Sequence, residues 1–178
     1  LNLVRECPLF ADKIDSTSKT LGKTSAHLFL TNQVRGMVKA LLVGDSAMAD
    51  DIFEAKAKEL LGSSEDPRYK SEFAKFQRFI EVVTEYNPLL EEIASLPSGT
   101  PRMRIEEARG EGWICLTATG LQIMGKIGHE LFRDGHADWQ SVAKQLAEID
   151  WARDTDTWQG NIIRAGKIAT QRAPVRVA

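Results

Sequence analysis

Apolar residues recur every three or four positions in six separate stretches of this chain, and that spacing constrains the fold more than any other feature. A repeat at i, i+3, i+4 and i+7 lines one face of an α-helix, whereas a half-buried strand repeats every second residue. Leu30, Val34, Met37 and Leu41, with Val38 and Leu42 beside them, predict a helix that Ser25 or Thr24 can cap and Gly44 ends. Asp45 or Ser46 caps a second helix, with Ala49, Phe53, Ala57 and Leu60 facing inward and Gly62 closing it. Pro67, just after Asp66, opens a third, whose face is Phe73, Phe76, Ile80 and Val83. Asn87-Pro88 breaks or kinks it, and Leu89 to Ala94 continues as a short helical piece. The fourth helix runs from Leu116 to Phe132 with Gly120, Met124, Ile127 and Leu131 on one face. Gly125 and Gly128 weaken it locally and let another backbone come close. Asp138 caps a fifth, on Trp139, Val142, Leu146 and Ile149, and Asp156 and Gln159 have capping-box spacing for a sixth, on Trp158, Ile162 and Ala165. The expectation is an all-α fold, an irregular multi-helix bundle of about six helices.

Two stretches lack this period. Leu1 to Lys23 reads as a loop, with Ser16, Thr17, Ser18, Thr20 and Gly22. Leu96 to Gly112 carries Pro97, Gly99, Pro101, Gly110 and Gly112, with Met103 to Ala108 as a short strand at most. It either divides the chain into sub-lobes 1–96 and 113–172 or is a long loop over one core, and loops of that length inside a domain are often functional. With 178 residues the chain can bury one substantial core, so 1–178 is read as a single helical domain. It opens at Leu1 rather than Met, which leads to the expectation of a fragment of a longer protein. The tail after Ala173-Pro174 is expected to be loose. The longest apolar run, Met37 to Val43, is too short for a membrane span, and no signal-peptide pattern opens the chain. Cys7 and Cys115 match no metal or redox spacing and read as buried small hydrophobes, which favours a cytoplasmic location.

Local signatures of catalysis do not appear. Gly22-Lys23-Thr24 resembles the end of a phosphate-binding loop, but Thr17 stands where the first glycine belongs and no apolar strand precedes it, so a loop and helix cap is the simpler reading. His27, His129 and His136 do not pair at metal-ligand spacing on one helix face. Glu91-Glu92 and Glu106-Glu107 read as solvated faces. No catalytic residue, metal site or cofactor motif is therefore assigned.

Net charge is −2, which argues against nucleic-acid binding through overall charge. The distribution is uneven. From Gln159 to Ala178 there are Arg164, Lys167, Arg172 and Arg176 and no acid, while the N-terminal loop carries Lys19 and Lys23. Ser141 to Ile149, Asp150 to Thr155 and Asp156 to Lys167 together have the size of a helix-turn-helix hairpin. Its second helix would carry Gln159, Asn161 and Arg164, residue types that reach base edges or phosphates. Any hairpin in a helical bundle has the same outline, and Trp158 is expected to pack inward. The candidate DNA-binding residues are Lys19, Lys23, Gln159, Asn161, Arg164, Lys167 and Arg172.

Ser25-Ala26-His27-Leu28-Phe29-Leu30-Thr31, then Val34 and Lys39-Ala40-Leu41-Leu42, together resemble the DndB (DGQHR-domain) family of DNA phosphorothioation proteins. Upstream, Leu9-Phe10 and Ile14-Asp15 resemble the family's apolar-Phe loop. Downstream, Trp139, Leu146, Ile149-Asp150-Trp151-Ala152-Arg153, Trp158, Gly160 and Gly166-Lys167-Ile168 resemble its closing segment, so the likeness points to the family's C-terminal half. It is weakest from Asp45 to Pro101. The resemblance implies a role in replacing a non-bridging phosphate oxygen of DNA by sulfur, as a DNA-binding transcriptional regulator of the modification gene cluster. The family's namesake Asp-Gly-Gln-His-Arg motif belongs to an N-terminal region resembling the ParB fold. Asp134-Gly135-His136 does not match it, and no activity tied to that motif carries over.

Two other expectations stand beside DNA binding. One is a helical scaffold that forms a homo-oligomer or contacts other phosphorothioation proteins. The other is part of an enzyme whose active site lies in the ParB-like region. The helical face of Trp139 and Leu146 gives a direct test of the pattern: Leu146→Ala should cost about 2–5 kcal/mol in urea unfolding, as a large-to-small change in a core does.

Overall fold

Thirteen residues from Thr31 to Val43 form the first helix, α1. The computed structural model describes residues 6–22, 25–97, 102–164 (Arg102 as backbone only) and 166–168. Among them, α2 runs Asp50–Leu61, α3 Pro67–Tyr86, α4 Pro88–Ser95, α5 Arg102–Gly110, α6 Ala118–Arg133 and α7 Trp139–Glu148, with a 3₁₀ turn at Ile114–Leu116. Only tiny strands accompany them. Parallel β1 (Ile14–Asp15) pairs with β2 (Phe29–Leu30), and β3 (Ile163–Arg164) pairs antiparallel with β4 (Lys167–Ile168). The fold is therefore mostly helical, as the periodicity predicts.

Some of the helix signals hold, whereas α2 starts at Asp50 after Ala49 rather than at an Asp45 or Ser46 cap, and Asp138 precedes α7 without a side-chain cap bond. Gly44 ends α1 in the left-handed region, at φ 72°. The Asp66 side chain accepts the Arg68 amide at the start of α3, with Pro67 in the first turn. Asn87 starts α4 by accepting the Leu90 amide at 3.0 Å. Other details differ. α1 begins at Thr31 and not at Ser25, because Phe29-Leu30 is held as strand against Ile14-Asp15 and the Ser25 hydroxyl oxygen accepts from the His27 amide. On α2, Phe53 and Leu61 are buried while Leu60 is half exposed, which rotates the inward face from the expected one. Met103 to Ala108 is helix, not strand: Ile105 and Ala108 are buried three residues apart, and Arg104 binds Glu107 one turn on and Glu92 of α4.

The tightest packing is between α1 and α6. Gly125 lies against the Met37 carbonyl, and a Cβ there would stand well inside van der Waals contact with it and 3.0 Å from Ala40 Cβ. Gly128 similarly leaves room for Leu41 and Phe79. The His129 Nδ1 donates to the Leu41 carbonyl at 3.2 Å. α3 and α7 close the opposite side. Phe132 of α6 meets Phe76, Phe79 and Trp139, with ring centroids 5.4 to 5.8 Å away. The Asn87 side chain donates to the Ala147 carbonyl. A single set of touching buried residues runs from Cys7 to Ile163, and Leu146 is 4% exposed within it. Ile149, just past α7, is exposed.

Pro-free helix interiors gain about 0.5–1 kcal/mol when glycine becomes alanine, unless the new methyl has nowhere to go. Two substitutions separate these cases. Gly36→Ala on α1 would set its Cβ 3.5 Å from Gln122 Nε2, an ordinary contact, and should stabilise. Gly125→Ala should instead destabilise by about 1–3 kcal/mol, because helix α6 must move off α1. Paired thermal melts should show opposite shifts in Tm.

Candidate nucleic-acid interface

Two tryptophans tie the C-terminal segment to the bundle. Trp151 is 1% exposed, and its Nε1 donates to the Leu146 carbonyl. Trp158 stacks on it at 5.0 Å between ring centroids and donates to the Asp150 carbonyl at 2.8 Å. A buried indole needs such a partner for its N–H. The Ile114 amide donates to the Trp151 carbonyl, so this segment joins the 3₁₀ turn as well.

This anchoring corrects the expected helix-turn-helix. Its first helix is present as α7, but Asp156 to Lys167 is not helical among the described residues. The Trp158 carbonyl accepts from both Ile162 and Ile163, making one turn that goes no further. Gly160 then takes φ +79° and Gly166 φ +69°, a region that ends helices and suits tight turns. The chain reverses instead into the β3–β4 hairpin, with Arg164 opposite Lys167. Trp158 and Ile162 are buried as their helical spacing suggested, and Ala165 lies outside the described residues.

Of the candidate DNA-binding residues, Lys23 and Arg172 also lie outside the described residues. Lys19 is exposed in the N-terminal loop. That loop is folded around Asp15, whose carboxylate accepts the Thr17 amide at 2.8 Å and the Ser18 amide at 3.0 Å. Hydrogen bonds from Ser18 and Thr17 hold the Asp15 carboxyl well below the usual range. Gln159, Asn161, Arg164 and Lys167 are all exposed on the C-terminal turn and hairpin. Gln159 donates its amide to the Arg153 carbonyl at 3.0 Å and is committed to holding the turn. The Arg164 Nε donates to the Gly160 carbonyl at 3.1 Å. The Asn161 side chain makes no hydrogen bond among the described residues.

Sequence reasoning missed two arginines here. Arg109, at the end of α5, donates to the Gly22 carbonyl at 2.6 Å and the Ser25 carbonyl at 3.3 Å. Arg153 donates to the Gly166 carbonyl at the hairpin turn, and its Cδ lies close over Gly112. The signal was weak: each lies in a stretch read as loop or turn.

The arginines divide by partner. Arg35, Arg68, Arg78, Arg104 and Arg133 each sit on at least one carboxylate. Among the described residues, Arg109, Arg153 and Arg164 bind only backbone carbonyls, and Lys19 and Lys167 bind no acid. A carbonyl positions a guanidinium without cancelling its charge. These five cations therefore keep their charge on the N-terminal loop, the end of α5 and the hairpin. Asp154 and Asp156, exposed on the same turn, limit the field to local contacts.

A cavity of about 430 Å³ opens elsewhere, between the ends of α1, α2, α3 and α6. Leu41, Leu61, Phe76 and Phe132 line it, and the cations on its rim, Arg68, Lys75 and Arg133, are all paired with carboxylates. Among the described residues no group of three His, Cys, Asp or Glu could hold a metal ion. Burial pushes the Cys115 thiol up to about 12 and the Cys7 thiol up to about 11, where a thiolate nucleophile does not form near neutral pH.

Residues 1–178 match the family model of DndB, DNA-sulfur modification-associated proteins. The chain belongs to the DndB family. Neither the curated proteins nor the solved structures contain a significant match to it. Membership places the unneutralised cations in a family associated with sulfur modification of DNA. Among the described residues no helix is long and apolar enough to cross a membrane.

Proposed function

We propose that this chain is a DNA-binding component of the DNA sulfur modification system, a regulator of the modification gene cluster, and that it contacts the phosphate backbone through its C-terminal hairpin and N-terminal loop. The observation that carries this reading is the division of the arginines. Among the described residues Arg35, Arg68, Arg78, Arg104 and Arg133 are spent on carboxylates, while Arg109, Arg153 and Arg164 are held by carbonyls alone. Arg164 and Lys167 also face each other as a cross-strand pair. Like charges directly opposite on a hairpin repel, and an anion between them offsets that cost. A phosphate is such an anion.

The roles divide by chemistry. Lys19, Lys23, Arg164, Lys167 and Arg172 supply sequence-independent phosphate contacts. With Gln159 committed to the turn, Asn161 is the side chain free to read a base edge. A net charge of −2 for the whole chain requires that binding be local rather than driven by the overall field.

Each phosphate contact releases condensed counterions, so affinity falls as salt rises, with a slope of about −0.9 per contact on duplex DNA. Fluorescence anisotropy with a short duplex at several salt concentrations should show this dependence for the parent chain. Replacing Arg164 and Lys167 together by Ala should weaken binding to all sequences and flatten the slope by about two contacts' worth. Equal affinity and equal slope for the parent and the double variant would remove the hairpin from the interface.

A further inference from the structure

The N-terminal loop and the C-terminal hairpin are far apart in sequence, yet a short path of contacts joins them. Arg109 forks onto the Gly22 and Ser25 carbonyls, at 2.6 and 3.3 Å, and so closes the loop that carries Lys19 and Lys23. The Ser25 amide donates back to the Gly22 carbonyl at 3.1 Å. Three residues beyond Arg109, Gly112 adopts φ +80° and lies under Arg153, whose Cδ would be 3.5 Å from a Cβ at that position. Arg153 in turn donates to the Gly166 carbonyl between β3 and β4, and its own carbonyl accepts from Gln159. Three residues at a helix end span roughly 5 Å. The end of α5 is therefore the bridge on which both basic arms are mounted.

We infer that Arg109 is a positioning residue for a nucleic-acid clamp: it fixes the N-terminal loop beside the hairpin, so that Lys19 and the Arg164–Lys167 pair engage the same duplex. This rests on the DNA-binding reading above. The chemistry of the residue fits the role. A guanidinium presents several donors in a rigid plane and can hold two carbonyls at once, whereas an ammonium is a point charge on a flexible stem. The α5 arginines show the contrast. Arg104 is bound by Glu92 and Glu107, but Arg109 has no carboxylate partner among the described residues and takes only loop carbonyls. It orders the loop without lowering the positive charge of the strip. Bipartite contact also has a thermodynamic consequence. Once one arm is seated, the second binds as an intramolecular event, and the two reinforce each other most when the link holds them at the span of their sites.

The test uses the full chain, a duplex of about 20 base pairs and anisotropy at two salt concentrations, with R109K, K19A and the R109K/K19A double variant. Far-UV circular dichroism and a thermal melt establish that each is folded; Lys19 is exposed and unbonded, so K19A leaves the fold intact. R109K keeps the charge and loses the fork. The clamp predicts that R109K weakens binding by about 3- to 10-fold and flattens the salt slope by about one contact, as K19A does. The double variant should then be no worse than either single one, because both remove the same arm. Losses that multiply in the double variant would make Arg109 an independent phosphate contact and overturn the positioning role. Parent-like binding by R109K would overturn it too. Binding lost by R164A/K167A but kept by K19A would leave the DNA-binding reading standing and remove the clamp, whereas no salt-dependent binding by the parent chain would end both.

Discussion

The close approach of α1 and α6 is the constraint on which the remaining geometry depends. Two helices packed through ordinary side chains stand 8–10 Å apart, and only small residues at the contact let them come nearer. Here Gly125 and Gly128 of α6 take in the Met37 carbonyl and the Leu41 side chain, and His129 bonds the Leu41 carbonyl just before α1 ends at Gly44. That contact sets where Phe132 lies, and Phe132 gathers Phe76, Phe79 and Trp139 of α3 and α7. α7 delivers the Leu146 carbonyl to Trp151, Trp151 receives Trp158, and Trp158 turns the chain into the hairpin. The basic strip thus stands at the end of a chain of packing contacts that begins with two glycines.

Charge is distributed as unevenly as packing. On α1, α3 and α6 several bases are paired with acids near in sequence or across a helix pair: Lys39 holds Asp50, Arg78 holds Glu81 and Glu85, Arg133 holds Glu130 and Asp134. Exposed pairs of this kind contribute little stability. In the loop, the end of α5 and the hairpin, Lys19, Arg109, Arg153, Arg164 and Lys167 have no carboxylate partner among the described residues, with Asp154 and Asp156 exposed on the same turn.

The sequence made the helices legible wherever side-chain period and cap chemistry agreed. Asp66-Pro67 and Gly44 mark helix ends through backbone rules that tertiary contacts did not override. Gly125 and Gly128 were readable as a close approach, though not which helix would fill it. Two misreadings share one cause. Trp158 and Ile162 have helical spacing because they bury together, but spacing does not reveal that Gly160 and Gly166 would take left-handed conformations and fold the segment into a hairpin. Met103 to Ala108 looked irregular because prolines and glycines flank it, while its helix packs inward through Ile105 and Ala108. The candidate site was legible as a set of basic residues near the two ends. That Arg109 and Arg153 would link those ends was not, because both act through backbone carbonyls, which carry no signature in a sequence.

Backbone amide chemical shifts, followed by heteronuclear NMR as a short duplex is added to the labelled chain, test the central claim most directly. The account predicts shifts concentrated in residues 17–22, 109–112 and 153–168, growing together and shrinking together as salt is raised. Shifts centred instead on Leu41, Phe76, His129 and Phe132, around the cavity whose cations are already paired, would contradict it.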